Sequence, residues 1–123
     1  MTGKADETGD LTVTFPCDLC GKPAATITLA ADGEIVVMAL IGRTTQRVGA
    51  EAMPRVRDVL TQRDARALYA LDREWGSFYC PTCDRSYCAD HWHFDVRYDD
   101  EFPGWYDCTY GTCPENHTRL VDD

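Results

Sequence analysis

Cys80-Pro-Thr-Cys83-Asp-Arg-Ser-Tyr-Cys88-Ala-Asp-His91 is the stretch from which the rest of the chain can be read. It holds a Cys-x-x-Cys pair and a Cys-x-x-His pair joined by four residues. Working outward, Cys17-Asp-Leu-Cys20 adds a pair upstream and Cys113-Pro-Glu-Asn-His117 adds one downstream. A short loop lets two side chains reach one ion, and thiolate with imidazole is a donor set of tetrahedral Zn²⁺. A lone Cys-x-x-Cys is shared with redox motifs. Four pairs in 123 residues are a stronger signal, because they supply the ligands of two tetrahedral Zn²⁺ ions.

Length and charge narrow the function. A chain of 123 residues is sized for one domain and gains much from metal staples. The first ten residues are polar and contain no apolar signal-peptide core. No run of eighteen apolar residues exists, so no transmembrane helix is expected. A cytoplasmic protein is the expectation, and there thiols stay reduced and serve as ligands rather than disulfides. Seven cysteines, an odd number, also fit a closed disulfide framework poorly. The formal charge of −9, from 12 basic and 21 acidic residues, argues against nucleic acid and against an anionic membrane surface. A protein with a basic face is the better complement, although the same charge also serves plain solubility.

Residues 1–10 read as a disordered N-terminus, and 11–123 as a single two-zinc domain. Leu11 to Phe15 alternates like a short strand. Residues 24–76 read as an insertion between the first two ligand pairs. Its first part, 24–41, is a hairpin turning at Asp32-Gly33, with an apolar second strand expected to be buried on both faces. Residues 42–49 read as a polar loop. Residues 51–75 are helical, with Met53, Val56 and Leu60 on one face and Leu68, Leu71 and Trp75 on another. Asp64 interrupts that stripe, giving one kinked helix or two short ones with Asp64 as cap. The stripe reads as core packing. Asp95 to Glu101 reads as an acidic loop before the Pro103-Gly104 turn.

Two ligand pairings are open. Sequential pairing joins the first pair to the second and the third to the fourth. Interleaved pairing joins the first to the third and the second to the fourth. The short link from Cys83 to Cys88 sets the middle pairs back to back and favours interleaving. Cys108 is an alternative to Cys113 or His117, and reads more simply as a small buried residue. His93 competes with His91, and reads more simply as a surface or packing residue. A closed four-ligand zinc leaves no position for water, so hydrolysis is not expected. The sequence contains no Gly-rich phosphate loop or nucleophile motif. A Cys108–His117 nucleophile pair lacks an orienting third group.

The segment Cys80-x-x-Cys83-x4-Cys88-x-x-His91 resembles the central part of FYVE-type zinc fingers, and the whole series resembles the RING/FYVE/PHD group. That resemblance implies a small α+β, two-zinc cross-brace domain of treble-clef-like fold, carrying the hairpin and helical segment as an insertion. It implies one Zn²⁺ on Cys17, Cys20, Cys88 and His91, and a second on Cys80, Cys83, Cys113 and His117. FYVE domains bind phosphoinositide through a basic stretch, which the neighbours of Cys80 lack. Three details resemble RING ubiquitin ligases: Leu19 before the second Cys, Pro114 after the seventh ligand, and Arg119 past the last. By resemblance, Leu19, Trp92 and Pro114 would bind a ubiquitin-conjugating enzyme, and Arg119 would be the catalytic clamp on a ubiquitin-like modifier. The activity implied is RING-type ligation, which positions a thioester without a covalent step of its own. The other reading is a non-catalytic zinc scaffold or adaptor that recognises a protein or peptide.

Overall fold

Alternation of apolar and β-branched residues sets the first sheet. In the computed structural model, which describes residues 9–40, 42–102 and 104–122, four strands form an antiparallel meander. They are β1 (Leu11–Pro16), β2 (Pro23–Leu29), β3 (Glu34–Ala39) and β4 (Gly42–Arg47). Register places Leu11 opposite Leu29 and Leu29 opposite Ile35, and Val13 opposite Ile27 and Ile27 opposite Val37. Those rows are buried, while Thr12 and Thr28 lie on the solvent face and share a 3.2 Å hydrogen bond. One face of the meander is therefore core and the other is wet, as antiparallel sheets allow.

The turn at Asp32-Gly33 needs its glycine. Gly33 has φ of 102°, and a Cβ there would stand 2.9 Å from the Val48 carbonyl oxygen. Asp32 fixes the same turn by accepting the Glu34 N–H.

Two short helices, α1 (Met53–Thr61) and α2 (Ala65–Leu71), cover the buried sheet face. Pro54 opens α1, where its missing N–H costs nothing. Val56, Val59, Leu60 and Leu68 enter the core. The break between the helices falls at Arg63, which has positive φ, and Asp64 then caps α2 by accepting the Ala67 N–H at 3.0 Å.

The chain then forms a two-stranded ribbon, β5 (Tyr79–Cys80) with β6 (Arg85–Ser86), and a 3-10 turn at Ala89–His91. A third sheet has the order β7 (His93–Tyr98), β8 (Tyr106–Thr112), β9 (Thr118–Asp122). Phe78 is fully buried against Phe15 with ring centroids 5.1 Å apart, so the core of the first sheet continues into the cysteine-rich half.

This architecture corrects the expected fold class. Among the described residues there are three antiparallel sheets and two short helices, not a small α+β cross-brace of treble-clef-like form. The hairpin of 24–41 belongs to a sheet that begins at β1, before the first ligand pair. The polar stretch 42–49 contains an edge strand. Its inward residues are not apolar because Gln46 meets polar partners: it donates to Glu74 and accepts from the Trp75 indole N–H. β3 is buried on one face only, with Met38 exposed. The acidic stretch from Asp95 begins as strand β7, in which Phe94, Val96 and Tyr98 alternate with polar residues and the antiparallel partner is the next strand, β8. Residues 1–8 of the expected disordered tail lie outside the described residues, while Gly9 and Asp10 are held by Arg57 and by the Ala31 N–H.

Candidate metal centres

Local backbone geometry brings each ligand pair to a point. After Cys17 the chain doubles back so that the Gly21 N–H reaches the Cys17 carbonyl at 2.9 Å, and Gly21 takes φ of 79°. After Cys80 the Asp84 N–H returns to the Cys80 carbonyl at 2.8 Å, with Asp84 at φ of 57°. In the last loop Asn116 does the same to Cys113 at 2.9 Å, with φ of 70°. Gly, Asp and Asn are the residues that enter this left-handed region most easily. The third pair uses the 3-10 turn, where the His91 N–H donates to the Cys88 carbonyl.

The fold then gathers the pairs in fours. Cys17, Cys20, Cys88 and His91 form one cluster, and Cys80, Cys83, Cys113 and His117 form the other, with all ligand atoms of a cluster within 4.8 Å. A tetrahedral ion with bonds near 2.3 Å to sulfur and 2.0 Å to nitrogen sets sulfur pairs about 3.8 Å apart and sulfur–nitrogen pairs about 3.5 Å apart. The first cluster has Cys20–Cys88 at 3.7 Å, Cys17–His91 at 3.5 Å and Cys88–His91 at 3.4 Å. The second has Cys83–Cys113 at 3.7 Å, and His117 lies 3.2, 3.4 and 3.7 Å from Cys83, Cys113 and Cys80. These are the edges of a metal tetrahedron and far longer than the S–S bond of a disulfide. Both histidines turn Nδ1 inward.

The surroundings favour thiolates. Backbone N–H groups of Leu19, Cys83, Glu115 and His117 donate to the sulfurs of Cys17, Cys80 and Cys113 at 3.4–3.5 Å. Burial pushes the Cys17 thiol up, but the N–H groups of Cys88, Cys20 and Leu19 outweigh it and bring the group down to about 6. Cys113 is also lowered: burial raises it, and the His117 and Glu115 N–H groups prevail. Burial and the neighbouring cysteines instead raise Cys88, and raise Cys83 to about 11. In each cluster one sulfur thus ionises readily, Cys17 or Cys113, and one resists, Cys88 or Cys83. A bound divalent cation removes that repulsion, which is the sense in which the donor set fits a metal.

The two clusters are tied through Asp18. Its N–H donates to the Ser86 carbonyl, and its carboxylate accepts the Ser86 N–H at 2.7 Å. Tyr87 is fully buried next to Cys83, and its ring meets Trp92 edge-on at 6.2 Å. Neither Asp18 nor Tyr87 stood out in the sequence.

The remaining singled-out residues divide sharply. Leu19 is half exposed and Pro114 is exposed. Trp92, expected as an exposed anchor, is buried, and its indole N–H donates to the Tyr87 carbonyl. Arg119, expected as an outward clamp, turns inward. Its guanidinium donates to the Ser77 and Tyr79 carbonyls and lies 5.1 Å from the Tyr69 ring centre and 5.3 Å from that of Trp92. These contacts point the guanidinium into the fold rather than toward a partner. Cys108 lies outside both clusters, buried in β8, and His93 is exposed in β7.

A family model, described as Domain of unknown function (DUF8328), matches residues 6–123. The chain belongs to that family. No curated protein and no solved structure matches it. The matched range includes the residues of both clusters. Among the described residues no helix is long and apolar enough to cross a membrane.

Proposed function

We propose that this chain is a zinc-stabilised protein-interaction domain, in which two Zn²⁺ ions act as structural staples and the knuckles present a docking surface. The observation that carries the reading is the pair of closed Cys3His sets with tetrahedral edge lengths. Four protein ligands leave no coordination site for water or substrate, so the ions shape a surface rather than perform chemistry. That surface includes an open groove lined by Leu19, Arg85, Glu115 and His117, which runs from the first knuckle to the last. Its aliphatic rim at Leu19 and the acidic balance of the chain suit a protein partner with a basic face.

Elemental analysis of the purified chain is expected to find two zinc ions per molecule. A count of one would show that one ligand set is wrong, and a count of zero would remove the proposal.

A second reading, a ubiquitin-like ligase that docks a charged conjugating enzyme, is favoured by one observation. Leu19 stands 51% exposed at the tip of the first knuckle, beside a groove that extends to the second site. In this reading the rate gain comes from positioning alone. Wild type is expected to stimulate discharge of a charged conjugating enzyme, and Leu19→Ala to lose that stimulation by about tenfold or more. No stimulation by wild type eliminates the ligase and leaves the scaffold.

A further inference from the structure

The third sheet carries a surface that the metal centres do not explain. Phe94, Val96 and Tyr98 follow one another on one face of β7, and register sets Phe94 opposite Gly111, Val96 opposite Thr109 and Tyr98 opposite Tyr106. At the inner end this row is covered, because Trp92 and Val121 close over Gly111. Toward the tip it runs into the open. Tyr98 is 58% exposed, Phe102 57% and Trp105 70%, and Val96 and Tyr106 are also exposed. From His93, beside the metal centres, to Tyr98 the strand covers about 17 Å, so the tip is a separate surface from the Leu19 groove.

The tip is built rather than loose. Asp99 accepts the Glu101 and Phe102 N–H groups, its own N–H reaches the Trp105 carbonyl at 2.8 Å, and the Phe102 and Trp105 rings sit 5.6 Å apart. A turn that holds two exposed aromatic rings together displays them at little entropic cost on binding.

Charge and topology say what covers it. Residues 93–112 hold five carboxylates (Asp95, Asp99, Asp100, Glu101 and Asp107) against one guanidinium, Arg97, a net −4. Among the described residues the hairpin's ion pair is Arg97 with Asp95, which leaves the tip carboxylates without a cation beside them. A second copy would set −4 against −4, and nucleic acid or an anionic membrane is repelled in the same way. A cationic protein segment is attracted, and its Lys or Arg heads can also lie on the exposed ring faces. β7 is the outer strand in the order β7-β8-β9, so it offers a backbone edge to an extended chain.

We propose that the β7–β8 hairpin is a docking site for an extended protein segment that alternates apolar and Lys or Arg residues, laid along β7 with its cations against the acidic, aromatic tip. The proposal is independent of the metal reading.

Panning a phage-displayed library of random short peptides on the zinc-loaded full chain tests it. Enriched sequences are expected to be rich in Lys or Arg interspersed with apolar residues, and their synthetic peptides to change the tryptophan fluorescence and bind more weakly as salt rises. Trp105→Ala, and separately Asp100→Lys with Glu101→Lys, are expected to weaken binding by about tenfold or more. Far-UV circular dichroism and zinc content of the variants should match wild type, which separates this outcome from failure of the metal centres. Enrichment of acidic or neutral sequences, no enrichment, or full binding by Trp105→Ala overturns the proposal. So does a wild-type dimer in sedimentation that Trp105→Ala dissolves, since the occupant would then be a second copy.

Discussion

Replacing Cys80 with serine is expected to cost the molecule its second metal ion and most of its fold. Cys80 is buried in the continuous core and is at once a residue of β5, a metal ligand and a backbone neighbour of the Tyr79 carbonyl that Arg119 holds. A structural Zn²⁺ contributes about 10–16 kcal/mol of binding free energy to the folded state of small zinc peptides. A domain of this size has a net stability of about 5–15 kcal/mol. Losing even half of the metal term therefore removes most of the margin. Zinc per chain should fall to one or fewer, and the cooperative thermal transition should be lost or drop far below wild type. A chelator added to wild type should produce the same collapse. Cys108→Ser is the control: it lies outside both clusters, so it should keep both ions at a cost of about 1 kcal/mol. A Cys80→Ser protein with both ions and wild-type melting would overturn the ligand set.

Arg119→Ala is expected to destabilise the fold by about 3–4 kcal/mol in chemical denaturation. The substitution strands two carbonyls, of Ser77 and Tyr79, each costing about 1–3 kcal/mol when left buried and unpaired. It also removes the cation held between Tyr69 and Trp92. Burial lowers the affinity of this guanidinium for its proton, yet arginine stays charged, so the position needs partners on every side. Its Nε finds none among the described residues. Arg119→Lys keeps the charge but not the planar fork, and should recover only part of the loss. Wild-type stability in Arg119→Ala, with loss of partner-dependent activity, would instead return the residue to an outward role.

How much of this was legible depends on what each residue's signal is made of. The Asp32-Gly33 turn and the two strands beside it could be read locally, since the glycine is required by φ and the flanking runs are rich in β-formers. The break at Asp64 was legible for the same reason, a cap residue with its partner three positions on. β4 was not, because an edge strand facing Gln46, Glu74 and Trp75 hydrogen bonds needs no apolar alternation. β7 and β8 were not, because the alternation of Phe94, Val96 and Tyr98 is short and lies among acidic residues that read as a loop, so only the pairing with β8 marks it as a strand. The expected α+β class came from the resemblance to cross-brace zinc domains, and with these strands unread nothing in the sequence corrected it.

At the candidate site the contrast is between spacing and direction. Short loops between cysteines and histidines determine which residues can share an ion in pairs, since covalent reach is a local quantity. The sequence by itself therefore marked the candidate donors, pair by pair. Which pairs share a centre, and which way Trp92 and Arg119 face, were decided by the tertiary structure. Asp18 clasping Ser86 ties the first knuckle to the link between the second and third pairs, and the third sheet sets the Arg119 guanidinium over the Tyr69 and Trp92 rings. Such directions come from packing between segments far apart in the chain. No local pattern encodes them, because the free energy that selects them exists only once the sheets have met.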